Sequence, residues 1–368
     1  MLLSSVEEAK KQLDLINSTH EYLPLHGSDA FLDNTRKLVF GSQQVGDLGE
    51  ALTSIQTVSG SGANSLIARF LRISSNPSSI WLPDPTWDNH VQIWQEFAPD
   101  CTQRRYPYYD PTLCGFDFER MMQHLKQHAQ QGDAILFHAC AHNPTGSDPT
   151  LEQWEDISLL CQEKGLFVIF DLAYQGFTSG DPTQDSSAIR HFATIPSIEL
   201  AVCQFFSKNL GLYGERAGAL HVLASRASAT CISPAGIRSH LVALQRADFS
   251  MPPRFGVSVV EKVLSDPHLF EMWVADLSVM SGRIKNMRQE LYKELVALKT
   301  PGEWRHIIEQ KGMFCYTGLS KKQVSRLKKD FHVYVLDSGR ISIAGLRSSN
   351  VLYVAGAIQN VVIAVSQE

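Results

Sequence analysis

The run Ser207-Lys208-Asn209-Leu-Gly-Leu-Tyr-Gly-Glu-Arg216-Ala-Gly218 places a lysine directly after a strongly apolar segment. A buried ammonium must be paired or lose its charge. The same tension makes a lysine useful, because desolvation leaves a neutral amine able to form an imine with a carbonyl cofactor. Arg216 follows past two glycines and can return to the same pocket to grip a phosphate with its planar fork. On residue types alone, a strand-end lysine reaching out to water is the simpler account of Lys208. A second candidate is Ser59-Gly60-Ser61-Gly62-Ala-Asn-Ser65, ahead of the apolar stretch 66–71. Small residues there let backbone N–H groups approach an anion at a helix N-terminus, where the dipole favours negative charge. A dinucleotide-binding turn competes with this, since Asp84 lies at about the spacing of a ribose-binding acid. It fails in detail: Ser65 stands where the third glycine belongs, and Asp84 sits between two prolines in Leu82-Pro-Asp-Pro-Thr-Trp87. His138, Cys140 and His142 alternate along one strand face and could ligate a metal. No fourth ligand cluster completes that set, so no metal is expected.

The elements that must hold these residues follow from periodicity. Residues 79–82, 134–140, 166–171, 200–206 and 217–223 are apolar nearly throughout, which suits strands buried on both faces of a mostly parallel sheet. Between two of them, Thr150-Leu-Glu-Gln153 reads as a capping box opening a helix with Trp154, Ile157, Leu160 and Cys161 inward, stopped by Gly165. Strand, helix and strand in succession mean βαβ units and an α/β fold. Trp273, Leu277, Met280, Ile284, Met287, Leu291 and Leu295 recur at helical spacing and predict one long amphipathic helix. Short strands at 313–317, 332–336 and 340–343, with helices at 321–330 and 348–365, read as a smaller α/β lobe. The expected division is a large domain over 1–280 and a small C-terminal domain over 281–368.

Composition bounds the rest. The chain has 368 residues, 44% hydrophobic and 19% charged, as in ordinary globular proteins, and a formal net charge of −5. That balance argues against a nucleic-acid or anionic-membrane partner. No apolar run approaches the roughly 20 residues of a membrane span. The first ten residues contain acids and lack the marks of a signal peptide or mitochondrial presequence. Seven cysteines without pattern suit reduced thiols. A cytoplasmic location is the expectation.

The spacing from Ser207 to Gly218 closely resembles the pyridoxal-phosphate lysine motif of the aspartate aminotransferase family, fold type I. The resemblance runs from about Glu21 to the C-terminus, and it implies roles for further residues. Lys208 would carry pyridoxal 5'-phosphate as a Schiff base. Asp171, in Phe167-Val-Ile-Phe-Asp171-Leu-Ala-Tyr174, would bind the pyridine nitrogen, although a helix N-cap is the plain alternative for an acid there. Tyr174 and Asn143, in His138-Ala-Cys-Ala-His142-Asn143, would flank the phenolic oxygen, with the histidines behind Asp171. Trp87 would stack on the ring with His90 behind it, while Gly60, Ser61, Ser207 and Arg216 would hold the phosphate. Arg340 resembles the binder of the substrate α-carboxylate, and Arg246 the residue that selects a second carboxylate. Arg246 and Tyr22 would enter the neighbouring subunit's site, which implies a homodimer with shared active sites.

Two departures stand out. The family normally begins with several dozen further residues, including a segment that closes over substrate, and this chain starts just before the large domain. Phe205 stands where the family offers a phosphate-binding hydroxyl, and Met251 where it commonly has a polar residue. The expected activity is transamination of a dicarboxylic amino acid, aspartate or glutamate, with 2-oxoglutarate or oxaloacetate. Elimination, decarboxylation, racemisation or condensation on the same cofactor, and a non-enzymatic dimer, are the alternatives.

Overall fold

The computed structural model describes residues 3–15, 19–227 and 233–366. Its centre is a seven-stranded sheet in the order Leu52–Val58, Ala217–Leu223, Leu200–Phe205, Phe167–Leu172, Ala134–His138, Ser79–Asp84, Thr102–Pro107. Ala217–Leu223 runs antiparallel to both its neighbours, and every other pairing is parallel. Side chains alternate across the sheet, so Ala134, Leu136 and Ile169 join one apolar cluster. Ile135, Phe137, Val168 and Phe170 join the other. Both faces are therefore buried, which is why these strands read as continuous apolar runs.

Helices behave as their termini dictate. Thr150 and Gln153 form the reciprocal capping box of Leu151–Lys164, and Gly165 closes that helix in the left-handed conformation at φ 59°. The long helix is Pro267–Ala297, capped by Asp266. Ser4–Leu15 packs against it and against Phe255–Ser265, burying Val6, Ala9 and Leu13, while Ser4 and Ser5 donate to Asp276.

The C-terminal part departs from expectation at one place. Residues 332–336 form no strand. His332 instead turns left-handed at φ 53° to end the helix Lys321–Phe331, and its N–H returns to the Leu327 carbonyl. Only Phe314–Tyr316 and Arg340–Ser342 pair there. Two strands of the main sheet, Leu52–Val58 and Thr102–Pro107, went unread. The first is rich in Ser, Thr and Gln, and the second exposes Thr102, Arg104 and Arg105 at the sheet edge, so neither is a plain apolar run.

Candidate active site

Parallel strands deliver their chemistry at their carboxyl ends, where successive loops leave a crevice. Here Ser79–Asp84, Ala134–His138, Phe167–Leu172 and Leu200–Phe205 end on one edge and hand the chain to Trp87, Asn143, Tyr174 and Lys208 respectively. His138 lies beside Asp171 in register, and Asp171 beside Cys203.

Asp171 is buried and takes a hydrogen bond from His90 Nε2 at 2.9 Å on Oδ2. His90 Nδ1 meets Thr86 Oγ1 at 2.9 Å, so both ring nitrogens are engaged. Burial alone would push Asp171 up, but the His90 hydrogen bond and the nearby His138 and Lys208 bring it below the ordinary carboxylate range. Burial pushes His138 down to about 3 and His142 well below its usual value, so both stand neutral behind Asp171. His138, Cys140 and His142 do not share a strand face, since the strand ends at His138; His90, His138 and Asp171 are the group whose atoms lie within 4.8 Å of one another. The His90 link to Asp171 reads as a hydrogen-bond relay. Thr86, its far end, escaped the sequence analysis because a lone threonine carries no signal.

Lys208 is half-buried, its Nζ 4.4 Å from the Phe205 ring centre and 5.4 Å from that of Tyr174. Desolvation lowers its pKa, Asp171 opposes that change, and Arg216 reinforces it. Tyr174 is buried, and its ring meets Phe314 edge-on at 6.1 Å. Arg340 stacks its guanidinium 4.3 Å from the Phe314 ring centre and donates from Nη1 to Asn143 Oδ1 at 2.7 Å. Lys208, Tyr174, Asn143 and Arg340 are thus brought together across elements far apart in sequence. Trp87 precedes the helix Asp88–Phe97 and packs edge-on to His90 at 5.1 Å, within one turn of the residue that binds Asp171.

The glycine-rich run begins the helix Ser59–Ser74 with no side chain capping its first turn. Ser59 adopts a positive φ of 58°, its N–H bonds the Arg216 carbonyl, and its hydroxyl meets that of Ser207 at 3.1 Å. Gly218 is required here, since a Cβ would fall 2.8 Å from the Ser59 backbone. Ser61, Gly62, Ser65 and Arg216 border one cavity of about 610 Å³. Tyr22 and Arg246 are not brought to this site within the chain: Tyr22 is 81% exposed, and exposed Arg246 donates to Ser250 at 2.5 Å.

Phe314 was also missed, and its position depends on Arg288. That guanidinium is 2% exposed and bonds the carbonyls of Ile307, Lys311, Gly312 and Phe314. A cation inside the Ile284–Leu291 apolar stripe was the readable signal. Arg288→Met leaves those carbonyls short of donors, and we expect a loss of roughly 3 kcal/mol or more in urea unfolding. An unchanged midpoint would refute this role.

Comparison with known proteins decides the family. The aminotransferase class I and II family matches residues 2–358. This chain belongs to it. The match includes the N-terminal helix, so the kinship extends well before Glu21. An L-tyrosine:2-oxoglutarate aminotransferase of Aspergillus ustus is 45% identical, over 97% of this chain and 69% of that protein. A mitochondrial aspartate aminotransferase of Arabidopsis thaliana is 42% identical, over 98% of this chain and 82% of that one. The solved cytoplasmic aspartate aminotransferase of Saccharomyces cerevisiae superposes with a TM-score of 0.94 at 38% identity, covering 99% of this chain and 88% of the other. The fold is that of the fold-type I aminotransferases, and the chain is a pyridoxal-phosphate-dependent transaminase. Its residues fit that cofactor on one decisive point. Asp171 Oδ1 is buried without a hydrogen-bond partner, and a protonated pyridine nitrogen is the donor it lacks.

Proposed function

We propose that this transaminase moves the amino group of a dicarboxylic amino acid, aspartate or glutamate, to 2-oxoglutarate or oxaloacetate. The observation that carries amino-acid transamination is Arg340, whose guanidinium reaches Asn143 beside Phe314 and Tyr174 near the Lys208 amine, and the likeness to aspartate aminotransferases supports the dicarboxylate choice. A planar fork there suits a carboxylate bound bidentately.

When bound, pyridoxal phosphate supplies a carbonyl for the amino group and a ring that withdraws electrons from the substrate Cα. Lys208, Asp171, Tyr174, Asn143, Trp87, Gly60, Ser61, Ser207 and Arg216 would hold it in this chain. Asp171 Oδ1 would keep the ring nitrogen protonated, with Oδ2 fixed by His90. Lys208 Nζ carries the proton, taking it from the substrate Cα as a neutral amine and giving it up again as the ammonium. Burial favours that neutral form. Tyr174 and Asn143 offer a hydroxyl and an amide on the two sides of the pocket, and Arg340 orients the α-carboxylate.

Arg246 and Tyr22 lie exposed and away from this pocket, which supports a homodimer in which each serves the partner's site. The domain division at residue 280 belongs to the same proposal, although the long helix crosses it without a break. Among the described residues no helix is long and apolar enough to cross a membrane. Six described cysteines are free, which favours a reducing compartment, and we take the cytoplasm as the working assignment.

The test is a half-reaction. L-Aspartate added to the holoenzyme should convert its visible absorption to that of the pyridoxamine form, and 2-oxoglutarate should restore it. Conversion by L-tyrosine and none by L-aspartate or L-glutamate would leave a transaminase and sink the dicarboxylate assignment.

A further inference from the structure

Phe205 ends the strand Leu200–Phe205, pairs in register with Gly218, and is 5% exposed. Its ring lies against two groups that the chemistry needs at opposite ends of one ligand. On one side is Gly60, in the first turn of the Ser59–Ser74 helix, where a Cβ would fall 2.2 Å from the ring. On the other is Lys208, whose Nζ is 4.4 Å from the ring centre. A ligand whose anionic end rests on that turn and whose carbonyl reaches Lys208 must pass this ring. A phenyl group offers no hydrogen-bond donor, and of the two nearby hydroxyls, Ser59 and Ser207, one donates to the other, which leaves a single hydroxyl proton for an anion.

We propose that Phe205 walls the passage between the phosphate cradle and Lys208, so that the phosphate-bearing arm of the cofactor lies against an apolar surface and the cofactor exchanges readily with solution. The inference rests on the cradle and Lys208 roles proposed above. Its cause is local: an anion desolvated on one face by carbon loses a charge-assisted hydrogen bond that a hydroxyl at this position supplies. Holding the phosphate then falls to the helix N-terminus, Ser61, Ser207 and Arg216.

The experiment measures binding, not turnover. Apoprotein of the wild type, Phe205→Ser and Phe205→Ala is titrated with pyridoxal phosphate and, separately, with pyridoxal, and dissociation constants are read from tryptophan fluorescence and absorbance. We expect Phe205→Ser to bind pyridoxal phosphate at least about tenfold more tightly than the wild type, as one added charge-assisted hydrogen bond implies. Pyridoxal, which has no phosphate, should change little, and Phe205→Ala should gain less than Phe205→Ser. Equal or weaker binding of pyridoxal phosphate by Phe205→Ser, with the apoprotein melting as the wild type does, overturns the proposal. If the variants do not fold, the wild type decides it. Loss of pyridoxal phosphate from the wild-type holoenzyme on gel filtration and overnight dialysis supports it, and retention of the cofactor through both overturns it. Uptake of pyridoxal phosphate by the wild type tests the underlying site, so the two failures are distinguishable.

Discussion

Lys208→Ala should lower turnover on the order of 10⁴-fold or more, because in the proposed mechanism one amine both anchors the cofactor and carries the proton. The physical case rests on its surroundings. Nζ lies among the Phe205 and Tyr174 rings, where desolvation favours the neutral form over the ammonium. Asp171 draws the other way and opposes part of that lowering. Single-turnover absorbance with L-aspartate separates the two roles. The variant should still bind pyridoxal phosphate through Arg216 and the Ser59–Gly62 turn, yet convert it to the pyridoxamine form at a negligible rate. Conversion within tenfold of the wild-type rate would mean that another base does the work. Added primary amines should restore part of the rate if a proton carrier is what was lost.

Asp171→Ala and Asp171→Asn should each lower kcat by about 10²–10³-fold at saturating cofactor, the usual worth of a preorganised electrostatic partner. Asn is the sharper variant. It keeps the size of the side chain and a hydrogen bond with His90, but loses the charge that would hold a pyridine nitrogen protonated. A helix N-cap, the plain alternative for this acid, would tolerate Asn, since Asn caps as well as Asp. The structure already speaks against that use: residues 173–183 after the strand form no helix, and Asp171 Oδ1 has no partner. Full activity of Asp171→Asn would leave the charge without a function. Loss in both variants, with apoprotein stability near that of the wild type, would assign the effect to the reaction.

Much of the fold was legible because the central strands are buried on both faces. Phe167–Leu172 and Leu200–Phe205 carry no polar alternation to confuse a helix with a strand, and the Thr150–Gln153 box and Gly165 mark a helix at both ends. The edge of the sheet was not legible. Thr102–Pro107 is half-covered, and its arginines reach to carbonyl and hydroxyl partners instead of forming an apolar run. Residues 332–336 were misread because Val333 and Val335 alternate with polar neighbours as a strand would, yet no partner strand is in register with them.

The sequence by itself, through its resemblance to a family, named the residues proposed for the chemistry. The order and spacing of Lys208, Arg216, Asp171, Tyr174 and Asn143 carry local constraints, and local constraints survive in a linear string. Tertiary structure decided what those groups meet. His90 and Asp171 are 81 residues apart, and Arg340 and Asn143 are 197 apart. Their pairing follows from sheet order and from the packing of the C-terminal elements, which no spacing encodes. The setting of Phe205 belongs to the same class. As a residue it is one apolar side chain at a strand end three residues before Lys208; only folding brings its ring against Gly60 as well, because two distant segments, 59–62 and 205–208, converge on one edge of the sheet.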